Sequence, residues 1–381
     1  MGKEEMEDRS ALATITRTSL GNLDVVTVSR PCFTKFYITA HPVEGNNHYG
    51  MFDNLARFLH DNDAQIVSQD VFGCCALQSG GMEALRGAFG EIKWPITWIE
   101  GEGPSKKSLT GTQVYAISGT SAAPIRWDER IIGNVFEDDD ARYCLLGDLR
   151  AADSSRSDTE QARETFEKME EALGHAQMDF SHVVRTWLYI NRILAWYDAF
   201  NSVRNGFFAE RRVLHGTMPA STGIGAGNCA GAAVVAEAFA IRPKSKSVRI
   251  QQVTSPLQCP APDYKSSFSR AVEVLFCDHR RLYVSGTASI ERNGATAHVG
   301  DAAKQIALTM EVIEAILESR RMSWSDVSRA IAYFKDMDDA PLLGAYCEKE
   351  HLSLLPIAVA HGDICREELL FEIELDAVAN S

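Results

Sequence analysis

No apolar run in the 381-residue chain is long enough to span a bilayer. The start, Met1-Gly2-Lys3-Glu4-Glu5-Met6-Glu7-Asp8, is acidic and without an apolar core, so no signal peptide is expected. Met6 stands where a myristoylation motif wants Ser or Thr. The nine cysteines contain no CxxC pair, which argues against a disulfide framework or a zinc module. None of the ten histidines falls in an HExxH pattern, and no metal is expected. Residues 223–231 are glycine-rich but lack the Lys-Ser/Thr of a P-loop and the GxGxxG spacing. Basic residues are few: 38 Lys and Arg against 52 Asp and Glu give a net charge of −14. That balance opposes binding to a nucleic-acid backbone. A reducing cytoplasm, no membrane, no nucleic acid and no cofactor are the expectations. A small anionic substrate stays compatible, because one pocket needs only a few local arginines.

What the chain does have is repetition. Residues 161–189 register with residues 305–333 at a constant offset, which places Ala162, Phe166, Met169 and Leu173 on Ile306, Met310, Ile313 and Leu317. Steps of four, three and four residues mark the same amphipathic helix face twice. Further on, Met178, Phe180, Val183 and Tyr189 match Met322, Trp324, Val327 and Tyr333. A β-like segment follows each helix, then a second helix, then a closing strand at 232–241 and 369–375. Val114-Tyr-Ala-Ile-Ser-Gly-Thr120 and Leu282-Tyr-Val-Ser-Gly-Thr287 look like a further matching pair of strands. A weaker copy precedes them, with strands at 35–39, 66–72 and 95–99 and a short helix marked by Phe52, Leu55 and Leu59.

The pattern predicts an α+β fold of three units, with helices on one face of mixed sheets. The expected units are 20–105, 109–243 and 262–381, with linkers at 101–108 and around 242–262. The second unit is expected to carry an insertion near 126–156. Within it, Glu137-Asp-Asp-Asp140 reads as a solvated loop, and Ser157-Asp-Thr-Glu160 just after it spells a capping box. Cys74-Cys75 reads as core.

The last strand carries the strongest chemical signal. Alternation puts Leu369, Phe371, Ile373 and Leu375 on one face and Leu370, Glu372 and Glu374 on the other. A Glu held in a cleft with little water has its pKa raised and becomes a proton donor near neutral pH. Tyr197, Phe200, Arg204 and Phe208 recur at helical spacing, so Arg204 is the first candidate to clamp a carboxylate, beside aromatic rings. Arg185 shares a strand face with Trp187 and Tyr189 and is the second. Arg366 lies next to Cys365, and the turn from Thr222 and Gly223 to Gly225 offers backbone N–H groups to an anion.

The repeated unit, with Ser285-Gly286-Thr287 and the closing Phe371-Glu-Ile-Glu374, resembles the RidA/YjgF family. That resemblance implies RidA/YjgF-like (chorismate mutase-like) units, joined here as an internal pseudo-trimer, with ligand pockets between neighbours. Deaminases of the family carry an arginine ahead of the closing Glu strand. The matching places, Pro219-Ala-Ser-Thr222 and Leu355-Pro-Ile-Ala358, lack it, which points away from imine deamination. The chorismatase branch is more similar. His361-Gly-Asp-Ile-Cys-Arg-Glu-Glu-Leu-Leu-Phe-Glu-Ile-Glu374 looks like its C-terminal signature, and Pro219-Ala-Ser-Thr-Gly-Ile-Gly225 and Tyr197-Asp-Ala-Phe-Asn-Ser-Val-Arg204 resemble its other segments. Ser285-Gly-Thr-Ala-Ser289 with His298-Val-Gly-Asp301 is also similar. The resemblance implies that Glu372 is the catalytic acid for cleaving an enolpyruvyl ether, and that Cys365 contributes to product choice. Tyr197, Tyr189, Arg185, Arg204, Arg366, Thr222, Gly223, Ser285, Gly286 and Thr287 are the expected substrate-binding set. The alternatives are a RidA-like hydrolase, deaminase or tailoring enzyme for another small unsaturated acid, and a metabolite-binding module without catalysis. A homo-oligomer is compatible with the sequence, which sets no interface for one.

Overall fold

The duplicated amphipathic stripes fold as two matching 18-residue helices. Each turns its stripe (Ala162, Phe166, Met169, Leu173; Ile306, Met310, Ile313, Leu317) into a sheet. The first starts at the expected capping box, Ser157 bonding Glu160 N–H while Glu160 reaches back. The computed structural model describes residues 13–43, 49–101, 108–261, 266–352 and 355–381. The acidic start, most of the 101–108 linker and the end of the 242–262 linker lie outside the described residues. Among those described, no helix is long and apolar enough to cross a membrane.

The described residues form three mixed sheets. The first is built from β1 (Thr14–Leu20), β2 (Leu23–Arg30), β3 (Phe33–Ala40), β4 (Gln65–Gly73), β5 (Ile96–Glu100) and β6 (Leu109–Ser118), with helices α1 (Gly50–Asp61) and α2 (Gln78–Phe89). The second uses β7 (Ala123–Trp127), β8 (Arg130–Glu137), β9 (Ala141–Leu149), β10 (Val183–Ile190) and β11 (Ala220–Ile224), and later β13 (Val234–Pro243). Its helices are α3 (Asp158–His175) and α4 (Ile193–Glu210). A two-residue strand, β12 (Gly227–Asn228), leaves this unit and pairs with β5 of the first sheet. The third takes β14 (Arg249–Val253), β15 (Ala271–Leu275), β16 (His279–Ala288), β17 (Val327–Phe334), β18 (Ile357–His361) and β19 (Phe371–Asn380), with α5 (Ala302–Ser319) and α6 (Ala340–Lys349). Strand orders are β1-β2-β3-β6-β4-β5-β12, β11-β10-β13-β9-β8-β7 and β14-β15-β16-β19-β17-β18. The unit thus reads three strands, helix, strand, helix, a short parallel strand and a closing strand, three times over. Each sheet packs its helices on one face, and the opposite faces meet in one central cluster, giving an internal pseudo-trimer.

Sheet membership departs from the expected boundaries. β6, expected to open the second unit, lies between β3 and β4 and closes the first sheet. Its Ser118-Gly119-Thr120 is therefore no counterpart of Ser285-Gly286-Thr287. The expected insertion near 126–156 is β7, β8 and β9, the three opening strands of the second sheet, and the third sheet starts at Arg249 rather than 262. The outermost opening strands of these two sheets are five residues long with three residues exposed in each, too short and too exposed to show the apolar alternation that marks a strand in sequence. The acid run is not a solvated loop either. The Asp138 side chain is 3% exposed, and its carboxylate accepts from Lys35 of the first unit at 3.0 Å and from Tyr143 at 2.8 Å.

The closing strands can be set in register by their partners. A bulge falls at Ile66/Ser68, Val183/Arg185 and Val327/Arg329. Counting from it, Ser68, Arg185 and Arg329 are equivalent. On the closing strands, Gln113, Glu237 and Glu374 are equivalent, as are Gly111, Val235 and Glu372.

Candidate active site

β19 alternates as expected. Phe371, Ile373 and Leu375 join the core under α5, while Glu372, Glu374 and Asp376 are buried on the opposite face. Leu369 precedes the strand and packs in a small separate cluster with Ala288, Ile290 and Ile364. Glu372 opens into a cleft of about 200 Å³ between the second and third units. From the second unit, α4 contributes Tyr197, Asp198, Asn201 and Arg204, and β11 contributes Ser221 and Gly223. The third unit adds Ser266, Phe268 and Arg270 ahead of β15, Gly286 and Ala288 on β16, then Ile290, and Cys365 and Arg366 ahead of β19.

Burial pushes the Glu372 carboxyl up to about 8, against the pull of Arg185 and Arg270. It is 5% exposed. Gly286 is a glycine for a visible reason: a Cβ there would run into Glu372 Oε1. Burial, reinforced by Glu372, pushes the Cys365 thiol up to about 12, so at neutral pH it is a thiol and no nucleophilic thiolate. Burial likewise holds the Tyr197 phenol at about 12, protonated and able to donate.

Three guanidinium groups line the cleft. Arg204 is buried, donates to Asn201 Oδ1 at 2.6 Å and lies 5.7 Å from the centre of the Phe200 ring. Arg366 donates to the Gly294 carbonyl at 2.7 Å. Arg270, absent from the expected set, is buried and donates twice to the Cys259 carbonyl, at 3.0 and 2.9 Å. No periodic pattern announces it. Its one signal is a basic residue directly before a strand that pairs with the Ser-Gly-Thr strand.

Five expected residues sit elsewhere or do other work. Arg185 is fully buried and ion-paired with Glu374, its Nη2 also donating to Thr222 Oγ1 at 2.5 Å. Tyr189 packs beside Tyr333 in the central cluster, on the far side of the sheet from α4. Thr222 lies within β11, whose backbone is paired in parallel with β10, so the expected anion-binding turn is a ladder strand. Its Oγ1 accepts from Gly286 N–H at 3.1 Å. Ser285 Oγ accepts from Ser221 N–H at 2.8 Å and donates to the Ser269 carbonyl, stitching the two units together. Thr287 Oγ1 is turned to the Ser285 carbonyl. Of the Ser-Gly-Thr motif only Gly286 reaches the cleft.

Among the described residues, the one metal-like grouping is Asp140, Cys277 and Asp278. It lies away from this cleft, and Arg30 fills it, 2.6 Å from Asp140 and 2.5 Å from Asp278.

Residues 128–236 match the family described as chorismatase FkbO/Hyg5-like, N-terminal, and residues 260–379 match the family described as endoribonuclease L-PSP. A 3-hydroxybenzoate synthase of Streptomyces hygroscopicus is 27% identical over 243 residues, covering 57% of this chain and 68% of its own. A chorismatase of Streptomyces rapamycinicus is 28% identical over 222 residues, 52% of this chain and 64% of its own. A chorismatase crystal structure superposes with a TM-score of 0.64, covering 92% of this chain and all of its own, at 18% identity. At that identity the superposition speaks for the fold alone. The likeness carried by the motifs, to the RidA/YjgF-like superfamily and within it to the chorismatase-like branch, is borne out by these matches.

Proposed function

We propose that the chain is a chorismatase-like enzyme, cleaving the enolpyruvyl ether of chorismate or a related acid with Glu372 as proton donor. The observation that carries the reading is a buried carboxyl, protonated near neutral pH, in a cleft lined by Arg204, Arg270 and Arg366. An acid of about 8 holds its proton at neutral pH and is still weak enough to be re-formed after turnover. Glu372 donates its proton to the methylene carbon of the enol ether, and positive charge develops on the ether carbon as an oxocarbenium ion. Water, or the neighbouring ring hydroxyl, attacks that carbon. The water adduct, a hemiketal, breaks its bond to the ether oxygen, which takes up a proton and stays on the ring, giving pyruvate and a dihydrodiol. Internal attack gives a cyclic ketal; loss of the ring proton beside the ether oxygen, cleavage of the ring carbon's bond to the former hydroxyl oxygen and opening of the ketal give a hydroxybenzoate, and that oxygen leaves in pyruvate.

A dianionic substrate in a water-poor cleft requires cations, which the three arginines supply. Cys365, a neutral thiol in the wall, bears on which nucleophile reaches the cation. The nine free cysteines fit work in a reducing cytoplasm. The test is incubation with chorismate, following pyruvate and identifying the second product by mass spectrometry. Cys365→Ala is expected to change the ratio of dihydrodiol to hydroxybenzoate, and an unaltered ratio would reduce Cys365 to a wall residue. No pyruvate from the parent protein would turn the same acid and arginines towards another small unsaturated acid.

A further inference from the structure

Glu372 and Glu374 share one face of β19, yet of the two only Glu374 is in an ion pair with arginine among the described residues. Glu374 is fully buried, and its Oε2 is met by Arg185 and by Trp187 Nε1 at 2.8 Å, both from β10 of the second unit. Its Oε1 accepts from Arg329 on β17 at 2.7 Å. Arg185 stands close to Glu372 as well. The Thr222 hydroxyl that it contacts also accepts from Gly286 N–H, and Gly286 is the residue pressed against Glu372 Oε1.

We propose that Glu374 is a positioning residue for the acid: it engages Arg185 across the unit boundary, holds that guanidinium off Glu372, and so leaves Glu372 its proton. A guanidinium turned onto Glu372 would favour the carboxylate and remove the donor. The repeat supports this division of labour. At the equivalent first–second boundary Ser68 replaces Arg185, and Val235 replaces Glu372. At the third–first boundary Arg329 stands for Arg185 and donates to Gln113, the counterpart of Glu374, at 2.9 Å, while Gly111 replaces Glu372. Only the boundary that holds the acid has both an arginine across from it and a carboxylate to occupy that arginine. The other groups facing Glu372 are Arg204, Asp198 and Tyr197 from α4, Arg270 ahead of β15, Cys365 and Arg366 ahead of β19, and Tyr333 across from it on β17. They stay constant in the variants below.

The inference rests on Glu372 as proton donor, and its test also has a readout that needs no turnover. In the full chain, infrared difference spectra would follow the protonated-carboxyl band that disappears in Glu372→Gln. Glu374→Gln should lower the midpoint of that band by about one to three pH units. The alkaline limb of pyruvate release should move with it. A variant that is less stable and slower at every pH, with an unmoved midpoint, would show a merely structural role and overturn the proposal. The double variant Arg185→Met, Glu374→Gln removes both members of the pair and guards against an unpaired buried charge. Its midpoint should return to the parent value or above; a midpoint as low as that of Glu374→Gln overturns the proposal. If Glu374→Gln does not fold, Arg185→Met alone should leave the midpoint at or above the parent's, and a lower one is the contrary result. A moving band without pyruvate from chorismate would keep this inference and remove the chorismate reading.

Discussion

A carboxyl kept protonated for chemistry leaves a mark on stability. Glu372 titrates at about 8 when folded, against about 4.3 in an unfolded chain. Between those values the folded state binds more protons, so stability falls as pH rises through the window and is level above it. Glu372→Gln keeps the shape and removes the ionisation. Above about pH 8 the variant should be more stable than the parent by about 2–5 kcal/mol, the two converging at acid pH. Pyruvate release should fall by about 100-fold or more at every pH. Thermal melts across pH with a pyruvate assay check both, and a variant that melts with the parent at alkaline pH would mean that Glu372 is no raised acid. This residue was legible because strand alternation placed it opposite an apolar stripe. Arg270 was not, since nothing local distinguishes an arginine that a strand pairing brings into a cleft. Arg185 beside Trp187 and Tyr189 reads the same whether its partner is a ligand or a glutamate of another unit; only the tertiary pairing decides.

At the scale of elements, α4 shows how one periodic stripe divides between two tasks. Tyr197, Asn201 and Arg204 face the cleft, while Phe200, Phe207 and Phe208 pack around Phe166 of α3. Arg204 is thus held by its own helix, and Arg204→Ala should raise KM by about 10-fold or more with little change in Tm. An unchanged KM would move the carboxylate clamp to Arg270 and Arg366. β16 sets a second constraint. In Gly286→Ala the new methyl would overlap Glu372 Oε1 and stand 3.2 Å from the Thr222 methyl. The acid must swing away, and kcat should drop by about 100-fold for a displacement near 1 Å; a variant with parental kcat would show that the carboxyl works from another rotamer. The helices and the capping box were legible because their signals are local and repeated in register. β6 was not: a three-residue Ser-Gly-Thr match carries less information than the choice of strand partner, which the whole first sheet makes.

Across the whole molecule the three units have diverged at their shared boundaries. Glu374 has arginines from two units, but its counterpart Glu237 has Ser68 in the place of Arg185, and it meets Asp70 of the first unit instead. Burial pushes Glu237 far above the usual carboxylate range, the charge of Asp70 adds to it, and burial raises Asp70 as well. Two carboxyls that share a hydrogen bond keep one proton between them. The raised folded values mean that this boundary is firmest at low pH and loses stability as pH rises from the unfolded carboxylate range towards the raised folded values. Arg329 opposes the shift on both residues, and Thr97 bonds Glu237. Glu237→Gln retains a donor towards Asp70 that no alkali removes. Its Tm should therefore decline less than the parent's between neutral and alkaline pH, while pyruvate release at the Glu372 cleft stays within about 2-fold, since Glu237 lines the central cavity and not that cleft. Melting both proteins across that range decides the matter. Curves that fall in parallel would mean that Asp70 and Glu237 share no proton.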